Sequence, residues 1–280
     1  SKVFYSYLQN PTRFFQVDSS LKAFEDIDAS WNKSTWFSDL GGLLGSPAFD
    51  LVYQAVQKGG FRIGLDQYNR YRLRRDDVKY YKIRDNRPYT DLYYSQINQK
   101  NNIIKAEFAH KFNDRVYFSL QYNLTNQTGF YRHQRVRNQN VGFAFRYFSP
   151  DNRYQGYFNF ITNAVKHENN GGILEDTIDA LSIDFLANLP VQSQSANTRY
   201  NFTELSYTHF LYNNRSSDSL NPSKAATNEW SHRITYAFDR YKFFDDNPSA
   251  DSVLYGMAAV NSRGIRLFIR HHQLENEISF

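Results

Sequence analysis

In the stretch VYFSLQYNLT, running from Val116 to Thr125, side-chain character changes at every residue. Val116, Phe118, Leu120, Tyr122 and Leu124 stand on one side, with Tyr117, Ser119, Gln121, Asn123 and Thr125 on the other. Successive side chains of a strand point to opposite faces, so this period of two predicts a β-strand with one apolar face. The theme recurs. IIKAEFAHKF sets Ile104, Ala106, Phe108, His110 and Phe112 against Lys105, Glu107 and Lys111, and VGFAFRYF sets Val141, Phe143, Phe145 and Tyr147 against Gly142, Ala144 and Arg146. WSHRITYAFDR and GIRLFIRH alternate in the same way, with Ile265, Leu267 and Ile269 read as the apolar side of the latter. Alternation leaves open whether the apolar faces meet a protein core or lipid.

Composition narrows the choice. No run approaches the roughly 20 apolar residues of a membrane helix, and the mean hydropathy is −0.68. A helical membrane protein is excluded, but a β-barrel is not, because half of each strand faces a polar lumen. Aromatic residues make up 18% of the chain, as 24 Phe, 22 Tyr and 3 Trp, a share suited to strands and to the aromatic girdles of barrels. Charge sits mid-strand opposite the apolar side, at Lys105, Glu107, Arg146 and Arg233, as a water-filled lumen permits. His110 and His232 on the apolar side weigh the other way.

Two kinds of connection are expected. FNDR and SPDNR read as tight turns, whereas NQTGFYRHQRVRNQ, KHENNGGILEDT and NNRSSDSLNPSKAATN are long, polar and rich in Gly, Asn and Ser. Placing all the long ones at one end, as barrels do, requires IDALSIDFLAN (178 to 188) to be a strand. Residues 169 to 199 are expected to lie mostly outside the wall, since Gly171, Gly172 and Pro190 suit irregular backbone.

Residues 1–60 differ from the rest. Acids predominate between Asp18 and Asp50, and Gly and Pro interrupt the pattern. Ser46 and Pro47 suit the start of a helix through Phe49, Val52, Tyr53 and Val56, while Phe49, Leu51 and Tyr53 also fit an extended run. This segment is expected to be irregular, as a plug or periplasmic extension.

The remaining chemistry is thin. NRYRLRRDD interleaves Arg and Tyr as a single-strand nucleic-acid groove would, yet Asp76 and Asp77 follow at once; a strand with Arg70, Arg72 and Arg74 on one lumen-facing side is the better reading. The net charge of +5, from 33 basic and 28 acidic residues, does not argue for nucleic acid. With no Cys there is no thiolate metal site, and no zinc, P-loop, dinucleotide or G-x-S-x-G pattern occurs. No cofactor, metal site or enzymatic activity is expected.

Particular strings carry a resemblance. RPYTDLYY, GFYRHQ and ENNGGI, within matching stretches over most of residues 10–175, make the chain similar to the putative porin family of Bacteroidota outer membranes. The resemblance implies an exported outer-membrane β-barrel with passive diffusion as its activity.

The expectation is therefore an all-β protein in the bacterial outer membrane. Residues 61–280 would form an antiparallel up-and-down transmembrane β-barrel, or a large part of one, of roughly ten to fourteen strands. Val116, Phe118, Leu120, Phe143, Phe145, Ile265 and Leu267 would face lipid. Arg62, Arg70, Arg72, Lys105, Glu107, Gln121, Asn123, Arg146, Arg233, Arg266 and Arg270 would line a mostly cationic pore favouring anionic or neutral polar solutes. The alternatives are a plugged barrel serving other outer-membrane proteins as a structural subunit, and a soluble β-sandwich that binds glycans.

Overall fold

A computed structural model describes residues 3–17, 37–39, 45–51, 68, 71–98, 101–174, 188–213, 228–247 and 264–279. Among these residues the regular structure is β, apart from single 3-10 turns such as Arg75–Asp77. Eight strands form one antiparallel sheet: β6 (Tyr89–Asn98), β7 (Asn101–Asn113), β8 (Val116–Gln127), β9 (Val136–Phe148), β10 (Tyr154–Glu168), β11 (Ala196–Asn213), β12 (Asn228–Asp245) and β13 (Gly264–Ser279). Each pairs with its sequence neighbour, giving an up-and-down sheet whose two edges, β6 and β13, are not joined. A second sheet orders β2 (Asn10–Gln16), β1 (Val3–Tyr7) and β5 (Tyr80–Ile83), and β3 (Phe37–Asp39) pairs with β4 (Ala48–Asp50).

The alternation read in β7, β8, β9 and β12 is present in the register. Phe118 pairs with Phe145 and Phe145 with Phe158, on the face where Phe143 pairs with both Leu120 and Phe160. The burial of the two faces is the reverse of a soluble protein's. Ser119, Asn140, Asn159 and Asn163 are at most 2% exposed, while Phe145 is 39%, Leu205 42% and Ile234 53% exposed. The polar face is covered because β1, β5 and residues 71–79 lie against it; it is the inner face here, and the apolar face the outer one. The apolar core sits between these layers, with Leu8, Leu73, Val78 and Tyr80 packed on Ala144, Tyr157, Ile161 and Phe210. A soluble sandwich would bury its apolar face instead.

Several expectations are corrected. The wall has eight strands among the described residues, not ten to fourteen, and it begins at β6. Residues 71–84, expected in the wall, line its inside: Arg72 and Arg74 are not on a strand, and β5 pairs with β1. Of the two readings left open for the segment after Ser46, residues 48–50 follow the extended one, where Ser38 and Phe49 pair across β3 and β4. Residues 178–187 lie outside the described residues, but no strand is needed there, since β10 and β11 pair directly over their full length. The reason is that connection 214–227 lies at the same end as the tight turns 114–115 and 149–153, opposite connections 128–135, 169–195 and 246–263.

The tight turns form as read. The Asn113 Oδ1 accepts the Arg115 and Val116 amides, each at 2.9 Å, and Asn152 takes φ 55°, a left-handed conformation that asparagine tolerates.

The face of β13 is also corrected. Ile265 and Leu267 pair with Phe243 and Tyr241 on the inner face, whereas Arg266 pairs with Lys242 and Arg270 with Phe238 on the outer one. Phe268 decides the register: it stacks on Phe238 at 6.2 Å, and that choice also puts Glu275 against Arg233 and His271 against Asp239.

Candidate functional site

The inner face is held to its covering segment by asparagines at strand spacing. The Asn163 amide accepts the Leu73 N–H at 2.8 Å and donates to the Leu73 carbonyl at 3.1 Å, so one side chain closes a backbone pair as a neighbouring strand would. Asn138 and Asn140, two apart and therefore on one side, both donate to the Tyr71 carbonyl, at 3.2 and 2.7 Å. Asn159 donates to the Tyr80 hydroxyl at 2.9 Å, and the Ser119 hydroxyl to the Lys79 carbonyl at 3.0 Å. Backbone groups buried without a sheet partner are costly, and these side chains supply the partners.

Gly142 allows Leu73 to approach. A Cβ there would stand 2.7 Å from the Leu73 Cδ2. Gly142→Val is expected to weaken docking of residues 71–79 by about 1–3 kcal/mol through overpacking. Faster amide exchange at Leu73, with β7 and β8 unchanged, would register it.

Two charged groups anchor the layer. Arg146 is 1% exposed; its guanidinium donates to the Ser6 hydroxyl at 2.9 Å and the Pro11 carbonyl at 3.0 Å, between the rings of Phe14, Phe148 and Tyr157. The Glu107 carboxylate accepts from Lys79 Nζ at 2.7 and 2.9 Å, and also from the Tyr81 hydroxyl and the Gln121 amide. Burial holds the phenols of Tyr80 and Tyr81 above their ordinary value, with the Glu107 charge adding to the shift at Tyr81; burial pushes Tyr7 up to about 12. All three are neutral at physiological pH.

Between the layers lies a polar cavity of about 410 Å³. Five residues expected to line a pore meet there: Arg72, Lys105, Glu107, Gln121 and Asn123. They are joined by Lys79, Asp76 and Asp77, so three bases face three acids, and the mostly cationic lining expected from sequence is not found in this cavity. Arg72 also lies over the Phe202 ring, 3.0 Å from its centroid. The other expected residues are dispersed. Arg146 is buried outside the cavity, Arg233 bonds Thr208 and Glu275 on the inner face, and Arg266 and Arg270 are outer-face residues. Arg62 and Arg70 lie outside the described residues.

Lys79 and the four asparagines were not singled out by sequence reasoning. The signal for the asparagines was available in NQNVGFAF and FNFITNAV, where Asn138, Asn140, Asn159 and Asn163 occupy the side opposite the phenylalanines.

Among the curated proteins none matches this chain, and no solved structure matches it either. The sequence profile of the family described as "Putative porin" matches residues 3–280, so the chain, with its up-and-down antiparallel sheet and outward apolar face, belongs to that porin family.

Proposed function

We propose that this protein is an outer-membrane porin in which small polar solutes diffuse passively along the inner face, through a space narrowed by residues 3–17 and 71–84. Family membership supports the outer-membrane location and a non-enzymatic, channel-like role.

The observation that carries the reading is the shape of the outer apolar band. On β8 it runs from Val116 to Leu124 and on β12 from Trp230 to Phe238. Eight steps make about 27 Å along a strand, or roughly 20 Å along the membrane normal at the usual tilt, close to the ~25 Å apolar band of outer-membrane barrels. Its edge away from the tight turns is uneven along the register: Leu124 stands opposite Gln139, whereas Phe238 aligns through Thr203 and Thr162 with Val141, level with the edge on β9. At the tight-turn end the band closes on an aromatic cluster, Tyr147, Tyr154, Tyr207, His209 and Trp230, which suits an interfacial girdle.

If the band lies in lipid, Phe143→Arg, near its middle, destabilises the membrane-folded protein by about 2–4 kcal/mol. Urea unfolding from bilayers measures this.

Planar-bilayer recording tests the function. The balanced cavity predicts small conductance steps with weak ion selectivity, and larger steps once the covering segment is detached. A second reading, a plugged barrel with a structural role, is favoured by the buried Arg146 anchor. It predicts silence in the native protein and conductance only once the covering segment is detached, whereas silence in both forms would overturn the diffusion reading.

A further inference from the structure

The outer face carries bases in an arrangement that the solute path does not use. Arg137 pairs with Lys166, Lys166 with Arg199, Arg199 with Lys242, and Lys242 with Arg266, so one register row holds a base on each of five neighbouring strands. Neighbouring strands are about 4.8 Å apart, which makes the row roughly 19 Å long. Like charges directly opposite one another on a sheet repel, and in this row each base has one or two such neighbours.

Among the described strand residues Glu168 is the only outer-face acid, and its carboxylate already accepts the Arg135 amide at 3.0 Å. Lys242 and Arg199 both lie over the Phe244 ring, at 4.1 and 4.9 Å, which holds two of the bases side by side. A hollow of about 90 Å³ opens between Arg135, Arg137, Lys166 and Glu168.

The row borders the apolar band. On β9 Gln139 alone separates Arg137 from Val141 on this face, on β12 Arg240 alone separates Lys242 from Phe238, and on β10 and β11 two residues intervene, Ala164 and Thr162, and Asn201 and Thr203. The bases thus follow the edge of the band rather than being scattered over the sheet. An edge between hydrocarbon and water is the level of lipid headgroups, and their phosphates are the anions available there at high density.

We infer that this row is a binding surface for phosphate-bearing lipid headgroups, which surround the wall at the end carrying connections 128–135, 169–195 and 246–263. The inference rests on the membrane-spanning reading of the apolar face. The phosphates neutralise the row, and the arginines offer them forked donors.

The test uses the whole chain in phosphatidylcholine nanodiscs doped with spin-labelled phosphatidylglycerol or spin-labelled phosphatidylcholine. Electron paramagnetic resonance reports the motionally restricted lipid at the protein surface. Phosphatidylglycerol should associate about fivefold more strongly than phosphatidylcholine, the factor one surface base supplies. The preference should fall towards one in high salt and in the variant with Arg137, Lys166, Arg199, Lys242 and Arg266 all changed to Gln. It should persist in the charge-conserving pair Arg199→Lys and Lys242→Arg, which controls for folding.

Restricted lipid with equal association of the two labels, or a preference that the five-Gln variant retains, would overturn the inference alone. Absence of restricted lipid for both labels would overturn the membrane reading and this inference with it. Inorganic phosphate that abolishes the preference, where chloride at equal ionic strength does not, would assign the row to free phosphate and overturn the lipid assignment.

Discussion

Replacing Arg146 by alanine is expected to release β1 and β2 from the inner face. The guanidinium makes two charge-assisted hydrogen bonds, to Ser6 and Pro11, in a site that is 1% exposed. Each such bond contributes about 1.5–3 kcal/mol, and the contacts with Phe14, Phe148 and Tyr157 add to that, so the loss is of order 3–5 kcal/mol. The wall should survive, because Tyr117 and Tyr157, the cross-strand partners of Arg146, keep their own ladders. Protease cleavage within residues 8–13 of the variant, with wall strands protected, is the expected result, together with a larger conductance step. Arg146→Lys should restore docking only in part, since an ammonium cannot hold both acceptors with the same planar fork.

Glu107→Gln is expected to act on docking and selectivity together. The carboxylate takes two contacts from Lys79 and one each from Tyr81 and Gln121. Removing its charge while keeping its shape leaves the half-buried Lys79 ammonium without its counterion and weakens docking of β5 by about 2 kcal/mol. It also turns a lining of three bases and three acids into one with an excess of bases. Under a salt gradient the reversal potential should move towards the anion value. A move towards the cation value would mean that solutes do not pass this cavity.

How far the sequence foretold this arrangement depends on which residues carried the signal. Strands β8 and β9 were legible because phenylalanine, leucine, valine and tyrosine fall on one side without interruption, as in Val141, Phe143, Phe145 and Tyr147. Strand β13 was misread because both of its sides are mixed. Ile265 and Leu267 outweighed Phe268 in the reading, while the structure follows the Phe238–Phe268 stack and the Arg233–Glu275 pair. Those are cross-strand facts, invisible in one strand taken alone.

The inner layer was hidden for a different reason. Residues 71–79 carry almost no strand pattern, since their backbone groups are satisfied by side chains of other strands, Asn138, Asn140 and Asn163 among them. Lumen residues were chosen mostly by charge, which found Lys105, Glu107 and Arg146, with Gln121 and Asn123 added from the polar side of β8; the asparagines that hold the covering segment carry no charge to mark them. Assigning Arg266 and Arg270 to the pore followed from the same reliance on charge, and it concealed the basic row on the opposite face.

The central claim, that the apolar face meets lipid and the polar face does not, is tested most directly by spin labels at single cysteines. The chain has no cysteine of its own, so each label is unique. At Phe143 on the outer face, relaxation of the bilayer-embedded label should respond to oxygen, which concentrates in hydrocarbon, and not to a water-soluble nickel chelate. At Asn123, which lines the inner cavity, the order should reverse. A Phe143 label that responds to the chelate and not to oxygen, in a protein that stays dispersed without detergent, would contradict the account.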